Sequence, residues 1–107
     1  MRLPELSHLQ FAVLGLMLQQ PRSGSEVRDA LKQFRVRQSG PAFYQMMSRM
    51  EKTGLVEGWY ERQMVEGQAI KERHYRITAE GKRAWRESRR FYELTIEAVD
   101  GEGLAHA

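Results

Sequence analysis

The chain has no cysteine among its 107 residues. That absence removes a disulfide framework, a thiolate metal site and a cysteine nucleophile together. Histidine is almost as scarce. His8, His74 and His106 fall in a helix start, a charged strand and the C-terminal tail, with no acidic partner at metal-ligand spacing. Glycine supplies no phosphate loop, because Gly54, Gly58 and Gly67 lie at a helix end and in a hairpin. With these parts missing, the sequence predicts no catalytic residues, no metal and no cofactor. Long apolar runs are missing as well: the longest, residues 11–18, is far below the ~18 residues of a membrane span and is amphipathic. The start, "MRLPELSHLQ", lacks a cleavage-site pattern, so the expectation is a cytoplasmic protein with no signal peptide and no membrane partner.

What is present is 41% hydrophobic and 29% charged residues, enough for one compact domain and too few for two. A domain this small leaves much surface unburied, and pairing with a second copy is a natural source of stability. The net charge of +3 is modest but unevenly placed. Residues 35–90 hold thirteen Lys and Arg against seven Asp and Glu, whereas the remainder holds four against seven. A basic centre of this kind suits a polyanion.

Apolar periodicity and caps divide the chain. Ser7 opens a helix carrying Phe11, Leu14, Met17 and Leu18, which Pro21 ends. Ser23 and Glu26 form a capping box for a second helix through Val27, Ala30, Leu31 and Phe34. Ser39 and Pro41 start a third, "SGPAFYQMMSRMEKTG", stopped by Gly54. Within it Phe43, Met46, Met47 and Met50 fall at i, i+3, i+4 and i+7, so they share one face, and Tyr44, Gln45, Ser48, Arg49 and Lys52 share the other. After Leu55 the period changes. "LVEGWYERQ" and "AIKERHYRI" read as a two-stranded hairpin with a loop of about five residues around Gly67. Thr78 then caps a last helix in which Gly81 is an untidy residue of the first turn.

Three helices, a hairpin and a helix define a mainly α chain with a small β-hairpin, of the winged helix-turn-helix type. The expected division is a DNA-binding domain over residues 1–78, a dimerisation helix over 79–100 and a disordered tail over 101–107. In this arrangement the Met stripe packs inward and the opposite face meets double-stranded DNA. Gln45 offers a bidentate amide for adenine, Arg49 a fork for guanine or phosphate, Ser48 a small hydroxyl, and Tyr44 a hydroxyl on a rigid ring. Ser39, with the amides of Gly40 and Ala42, stands at a helix N-terminus that favours a phosphate. The hairpin adds Arg62, Lys71, Arg73 and Arg76, of which Lys71 and Arg73 lie near the tip and are expected to reach the backbone. His74 is expected to be a solvated strand residue.

The segment from 14 to 81 resembles the PadR family of bacterial transcriptional regulators. "LGLMLQQPRSGSEVRDAL" is similar to its first two helices, "FYQMMSRMEKTGLVEGWY" to its recognition helix and first strand, and "ERHYRITAEGKRAW" to its second strand and the entry to its dimer helix. Tyr44, Glu51, Gly54, Leu55, Tyr75, Thr78 and Gly81 carry the likeness. Gln45 stands where family members commonly have proline, Gly24-Ser25 where they have Gly-Tyr, and Phe43, Met47 and Met50 where they have leucines. The MarR and ArsR groups share the general fold. The resemblance implies a nucleoid-associated, DNA-binding homodimer that usually represses transcription. An architectural or replication-arrest protein tolerant of sequence would use the same parts.

The last helix carries a broad apolar stripe, with Trp85, Ser88, Phe91, Tyr92, Thr95, Ile96 and Val99 at three-and-four spacing. A second copy is the expected cover. The likeness to relatives that respond to drugs and phenolic acids implies a small aromatic effector, with Met17, Trp85 and Tyr92 lining its cleft.

Overall fold

The computed structural model describes residues 4–102, with the side chain of Glu102 left aside. Its elements run α1 (His8–Leu16), β1 (Arg22–Ser23), α2 (Gly24–Gln33), α3 (Gly40–Lys52), β2 (Val56–Val65), β3 (Gln68–Ile77) and α4 (Ala79–Glu102). This is the expected winged helix-turn-helix, an α+β chain with a long C-terminal helix. No helix among the described residues is long and apolar enough to cross a membrane. Residues 101 and 102, expected in the tail, continue α4, and the rest of that expected segment lies outside the described residues.

The helix starts follow from their caps. Ser7 with Gln10, and Ser23 with Glu26, form reciprocal capping boxes. The Glu26 carboxyl lies below its ordinary range, chiefly because it accepts from the Ser23 backbone amide. At α4, Thr78 Oγ1 accepts from Gly81 N at 3.0 Å and donates to Gly54 O at 2.5 Å, tying the helix start to the end of α3. Helix α1 stops at Leu16, a turn earlier than Pro21 suggested. Arg22 Nε donates to its Leu16 carbonyl at 2.7 Å, so a side chain from the next strand supplies the C-terminal partner.

The core joins Val13, Leu14 and Met17, Val27 and Leu31, the Phe43–Met46–Met47–Met50 stripe, and Val56, Tyr75 and Ile77. Its sheet is three-stranded and antiparallel in the order β1-β3-β2, not a bare hairpin. Strand β1 is two residues long, pairing Arg22 with Tyr75 and Ser23 with His74. It makes β3 the central strand and encloses His74, which is 7% exposed rather than solvated. The imidazole stacks on Trp59 at 6.0 Å between centroids. Gln63 Nε2 lies 3.1 Å from His74 Nε2, and the Glu72 carbonyl oxygen lies 3.3 Å from His74 Nδ1, so both ring nitrogens have a polar partner.

The hairpin also differs from expectation at its tip. Pairing continues to Val65 opposite Gln68, so the turn is the two residues Glu66 and Gly67, not a loop of five. Both have positive φ, 51° and 80°, the backbone of a two-residue turn whose twist matches the strands it joins.

Candidate nucleic-acid interface

Helix α3 is defined at both ends. Ser39 Oγ accepts from Ala42 N at 3.2 Å, and Pro41 occupies the first turn, where its missing N–H costs nothing. At the other end Gly54 adopts φ 81°, Gly54 N donates to Glu51 O (3.0 Å) and Leu55 N to Met50 O (2.8 Å). That pair of bonds closes the helix and turns the chain directly into β2. Phe43, Met46, Met47 and Met50 are all buried, which fixes the rotation of α3 and leaves Gln45, Ser48 and Arg49 exposed on the other side.

Two residues at this surface sit differently from the sequence expectation. Tyr44 is half-buried: its ring meets Phe43 edge-on at 5.0 Å, and its hydroxyl lies against the first turn of α2. A Cβ at Gly24 would come within 2.6 Å of that hydroxyl, so a glycine is needed there for the ring to seat. The Ala42 amide is committed to Ser39, which leaves Gly40 as the open amide of the α3 terminus. Arg28 of α2 lays its guanidinium beside Gly40, with Nη1 3.6 Å from the position of a Cβ there. Nothing in the helical period of α2 distinguishes Arg28 from its polar neighbours.

The hairpin sorts its charges by face. Directly opposed residues of an antiparallel pair point to the same side. The side that continues the core and α3 therefore carries the pairs Val56–Ile77, Gly58–Tyr75, Tyr60–Arg73, Arg62–Lys71 and Met64–Ala69. The reverse side carries Glu57–Arg76, Trp59–His74 and Glu61–Glu72. Every acidic residue within the two strands is on the reverse side, and three of the four hairpin cations are on the α3 side. Among the described residues, Arg49, Arg62 and Lys71 form no ion pair with a carboxylate, whereas Arg76 is held by Glu57 at 2.9 Å.

Arg73 is not the free cation that its place near the tip suggested. Its Nη2 donates to both carboxylate oxygens of Glu51 on α3, at 2.9 and 2.8 Å. This bond, more than the surrounding tyrosines, holds the Arg73 guanidinium above its ordinary range. The Tyr60 ring lies beneath both Arg73 (4.8 Å) and Lys71 (4.7 Å). Glu51 and Tyr60 were not among the expected functional residues, since neither the helical nor the strand period reveals their contacts with Arg73.

Helix α4 divides its apolar stripe. The first half packs on α1 of the same chain: Phe11 stacks on Trp85 at 5.4 Å and meets Tyr92 edge-on at 5.5 Å, and Tyr92 Oη lies 3.0 Å from His8 Nδ1. Ser88 is 1% exposed within this contact. Phe91 is half-buried, and Thr95, Ile96 and Val99 are exposed. Trp85, Ser88 and Tyr92, expected in the subunit contact, are thus used within the chain because α1 needs cover of its own. Met17, expected beside Trp85 and Tyr92 in an aromatic-binding cleft, is buried in the core, and Phe11 occupies the face of Trp85.

A three-helix unit with a rigid two-stranded wing is the architecture of winged-helix regulators. The model of the transcriptional regulator PadR-like family matches residues 13–87, well over half of the chain. The chain belongs to that family, which is one of transcriptional regulators and not of enzymes. Among solved structures, a PadR family transcription regulator from Clostridium difficile R20291 is similar at 15% identity, covering 89% of this chain and 97% of that one, with a TM-score of 0.74. A PadR-like transcriptional regulator from Bacillus cereus is 23% identical, covering 90% and 91%, with a TM-score of 0.71. Bacillus subtilis PadR, solved in complex with operator DNA, is 20% identical over 76% of this chain and 46% of its own, with a TM-score of 0.60. At these identities the likeness is one of fold. No curated protein sequence matches the chain.

Proposed function

We propose that this protein is a sequence-specific DNA-binding repressor that acts at the bacterial nucleoid as a homodimer on an inverted-repeat operator. The observation that carries the reading is one continuous surface. Gln45, Ser48 and Arg49 project from a helix whose rotation is fixed by four buried residues, and Arg62 and Lys71 project from the adjoining sheet face with no carboxylate partner among the described residues. In this reading α3 lies in the major groove, where Gln45 and Arg49 reach base edges, and Lys71 and Arg62 meet backbone phosphate. Ser39 and Tyr44 act more by holding α3 than by touching bases, given the amide and the helix turn they engage. The operator complex of Bacillus subtilis PadR supports the assignment by fold.

The test is a pull-down of sheared genomic DNA by the purified chain, sequenced for enriched sites and followed by titration on the best site. The expected outcome is a small set of inverted repeats bound at least ~10³-fold more tightly than random duplex. Even recovery of all fragments with uniform affinity would favour a sequence-tolerant architectural protein. No binding at low salt would remove DNA as the partner.

A further inference from the structure

Among the described residues, Arg73 and Glu51 form the one salt bridge between the recognition helix and the wing. Its surroundings hold it in place from several sides. Glu51 belongs to the last turn of α3, one residue beyond Met50, whose burial fixes the helix. Arg73 belongs to the central strand, opposite Tyr60 and two residues from buried Tyr75. The two side chains are 27% and 26% exposed, sheltered but not sealed. Beneath them is Gly58: a Cβ there would stand 2.5 Å from Glu51 Oε1 and 2.9 Å from Arg73 Nη2, so the absence of a side chain makes the seat for the pair. Tyr60 supports the guanidinium from the same face of the sheet.

We infer that Glu51 and Arg73, seated on Gly58, are positioning residues that set the angle between α3 and the β2–β3 wing, and so fix how far the wing's contacts lie from the bases read by α3. The inference rests on the DNA-binding reading above and deepens it. Rigid elements alone do not determine this angle. The Gly54 turn between α3 and β2 is a single closed helix end, and beyond the core the hairpin extends for several residue pairs with no other described element beneath it. A small rotation at the base becomes a large displacement at the tip. A side-chain bond that crosses the joint near its base is therefore placed where it has the most leverage over where Arg62 and Lys71 arrive. Arg73 acts on DNA through Glu51 and the wing, while Lys71 acts by its own charge.

The alternative role for Arg73, direct contact with phosphate, predicts the opposite sign in one experiment. Glu51→Gln removes a negative charge beside the proposed interface and releases Arg73. If Arg73 were a phosphate ligand held in reserve, affinity for the selected operator would rise and the salt dependence would steepen. As positioning residues, the pair predicts that Glu51→Gln lowers operator affinity on the order of tenfold, the scale of a displaced backbone contact. In the same variant hydroxyl-radical protection by the wing fades or shifts, while major-groove protection by α3 remains. Gly58→Ala, which displaces the carboxylate from below, should give the same footprint. Lys71→Ala should weaken the wing protection without moving it. A merely structural role would lower melting temperature and leave the footprint in place, and that result would overturn the inference. So would tighter binding by Glu51→Gln. Should either variant fail to fold, the charge-exchanged pair Glu51→Arg with Arg73→Glu replaces it, and restored footprint spacing relative to Arg73→Glu alone is the expected result. Residual dipolar couplings of the free protein supply a measurement that needs no DNA. If the wild-type chain binds no duplex, the DNA reading fails by itself, and a wing orientation unchanged by Glu51→Gln then disposes of the joint as well.

Discussion

Gly81 shows how much one absent methyl can decide. In the sequence it looks like a poor choice for the first turn of a helix, since glycine costs roughly 1 kcal/mol there relative to alanine. In the fold a Cβ at this position would overlap the Leu55 carbonyl oxygen and come within 2.7 Å of Ile77 Cγ1. Helix α4 can approach the end of α3 and the base of the sheet only without that atom. Gly81→Ala, an improvement by propensity, is therefore expected to destabilise the protein by about 1–3 kcal/mol, because the core has no room to absorb the methyl. Urea unfolding followed by circular dichroism measures this directly. Tyr75 yields a second expectation at the same scale. It is 2% exposed, and burial pushes its phenol up from 10.0 to about 12. An unfolded chain releases that proton near pH 10 and the folded chain only near pH 12, so the stabilisation is complete below about 10 and is lost as the pH climbs to about 12. Its size is of order 2 kcal/mol. Tyr75→Phe should flatten the alkaline fall in the urea midpoint over that interval, and an equally steep fall in the variant would show that other groups cause it.

Among the elements, the wing is where face matters more than composition. Its cations and acids alternate in sequence and suggest cross-strand neutralisation, yet antiparallel pairing sends Glu57, Glu61 and Glu72 to the side away from α3. Lys71→Ala is expected to lower affinity for all duplexes alike and to reduce the log-log salt slope by about one, the change produced when one fewer phosphate is neutralised. Arg76→Ala, on the reverse face with Glu57, should leave the slope unchanged; equal effects at the two positions would mean that the faces are not distinguished by DNA. Much of this element was legible in the sequence. The strands, the inward Met stripe of α3, the caps at Ser7, Ser23, Ser39 and Thr78 and the Gly54 stop all follow from local chemistry, which acts within a few residues. What was not legible depends on contacts distant along the chain. Strand β1 is two residues long and contains an N-cap, so it has no period of its own, and without it His74 reads as exposed. Glu51 meets Arg73 across 22 positions, and Arg28 reaches Gly40 only because the fold brings α2 beside the start of α3. The hairpin tip was hidden for a different reason: Glu66 at φ 51° is a strained choice that no glycine announces.

On the scale of the whole molecule, which extends over 61 × 27 × 23 Å, the longest element is the 24-residue α4. Its first half is held by α1, but Ile96 and Val99 are 60% and 47% exposed on turns that no other described element covers. A helix end without tertiary packing is marginal in water, because most helical stability in proteins comes from a buried face. A second copy laid against these turns would cover the apolar residues and hold two α3 helices at a fixed separation. The operator should then be an inverted repeat with half-site centres one helical turn, about 34 Å, or a near multiple apart. The sharpest probe is Ile96→Glu with Val99→Glu, since both residues are exposed in the single chain and the change leaves the Trp85–Phe11–Tyr92 packing untouched. Removing the chain after Gly81 would be a poorer test, as it would strip Ser88 and Trp85 from α1 and unfold the core. In sedimentation at tens of micromolar the wild-type protein should run at twice the mass of the double variant, and its melting temperature should rise with concentration as that of the variant does not. Loss of the partner should also fray the last turns of α4, read as a small fall in helical circular dichroism. Operator affinity should drop by ~10²-fold or more while affinity for a single half-site stays the same, because linkage of the two copies makes the second binding event intramolecular. A wild-type chain of monomer mass that still binds the inverted repeat cooperatively would place the subunit contact elsewhere.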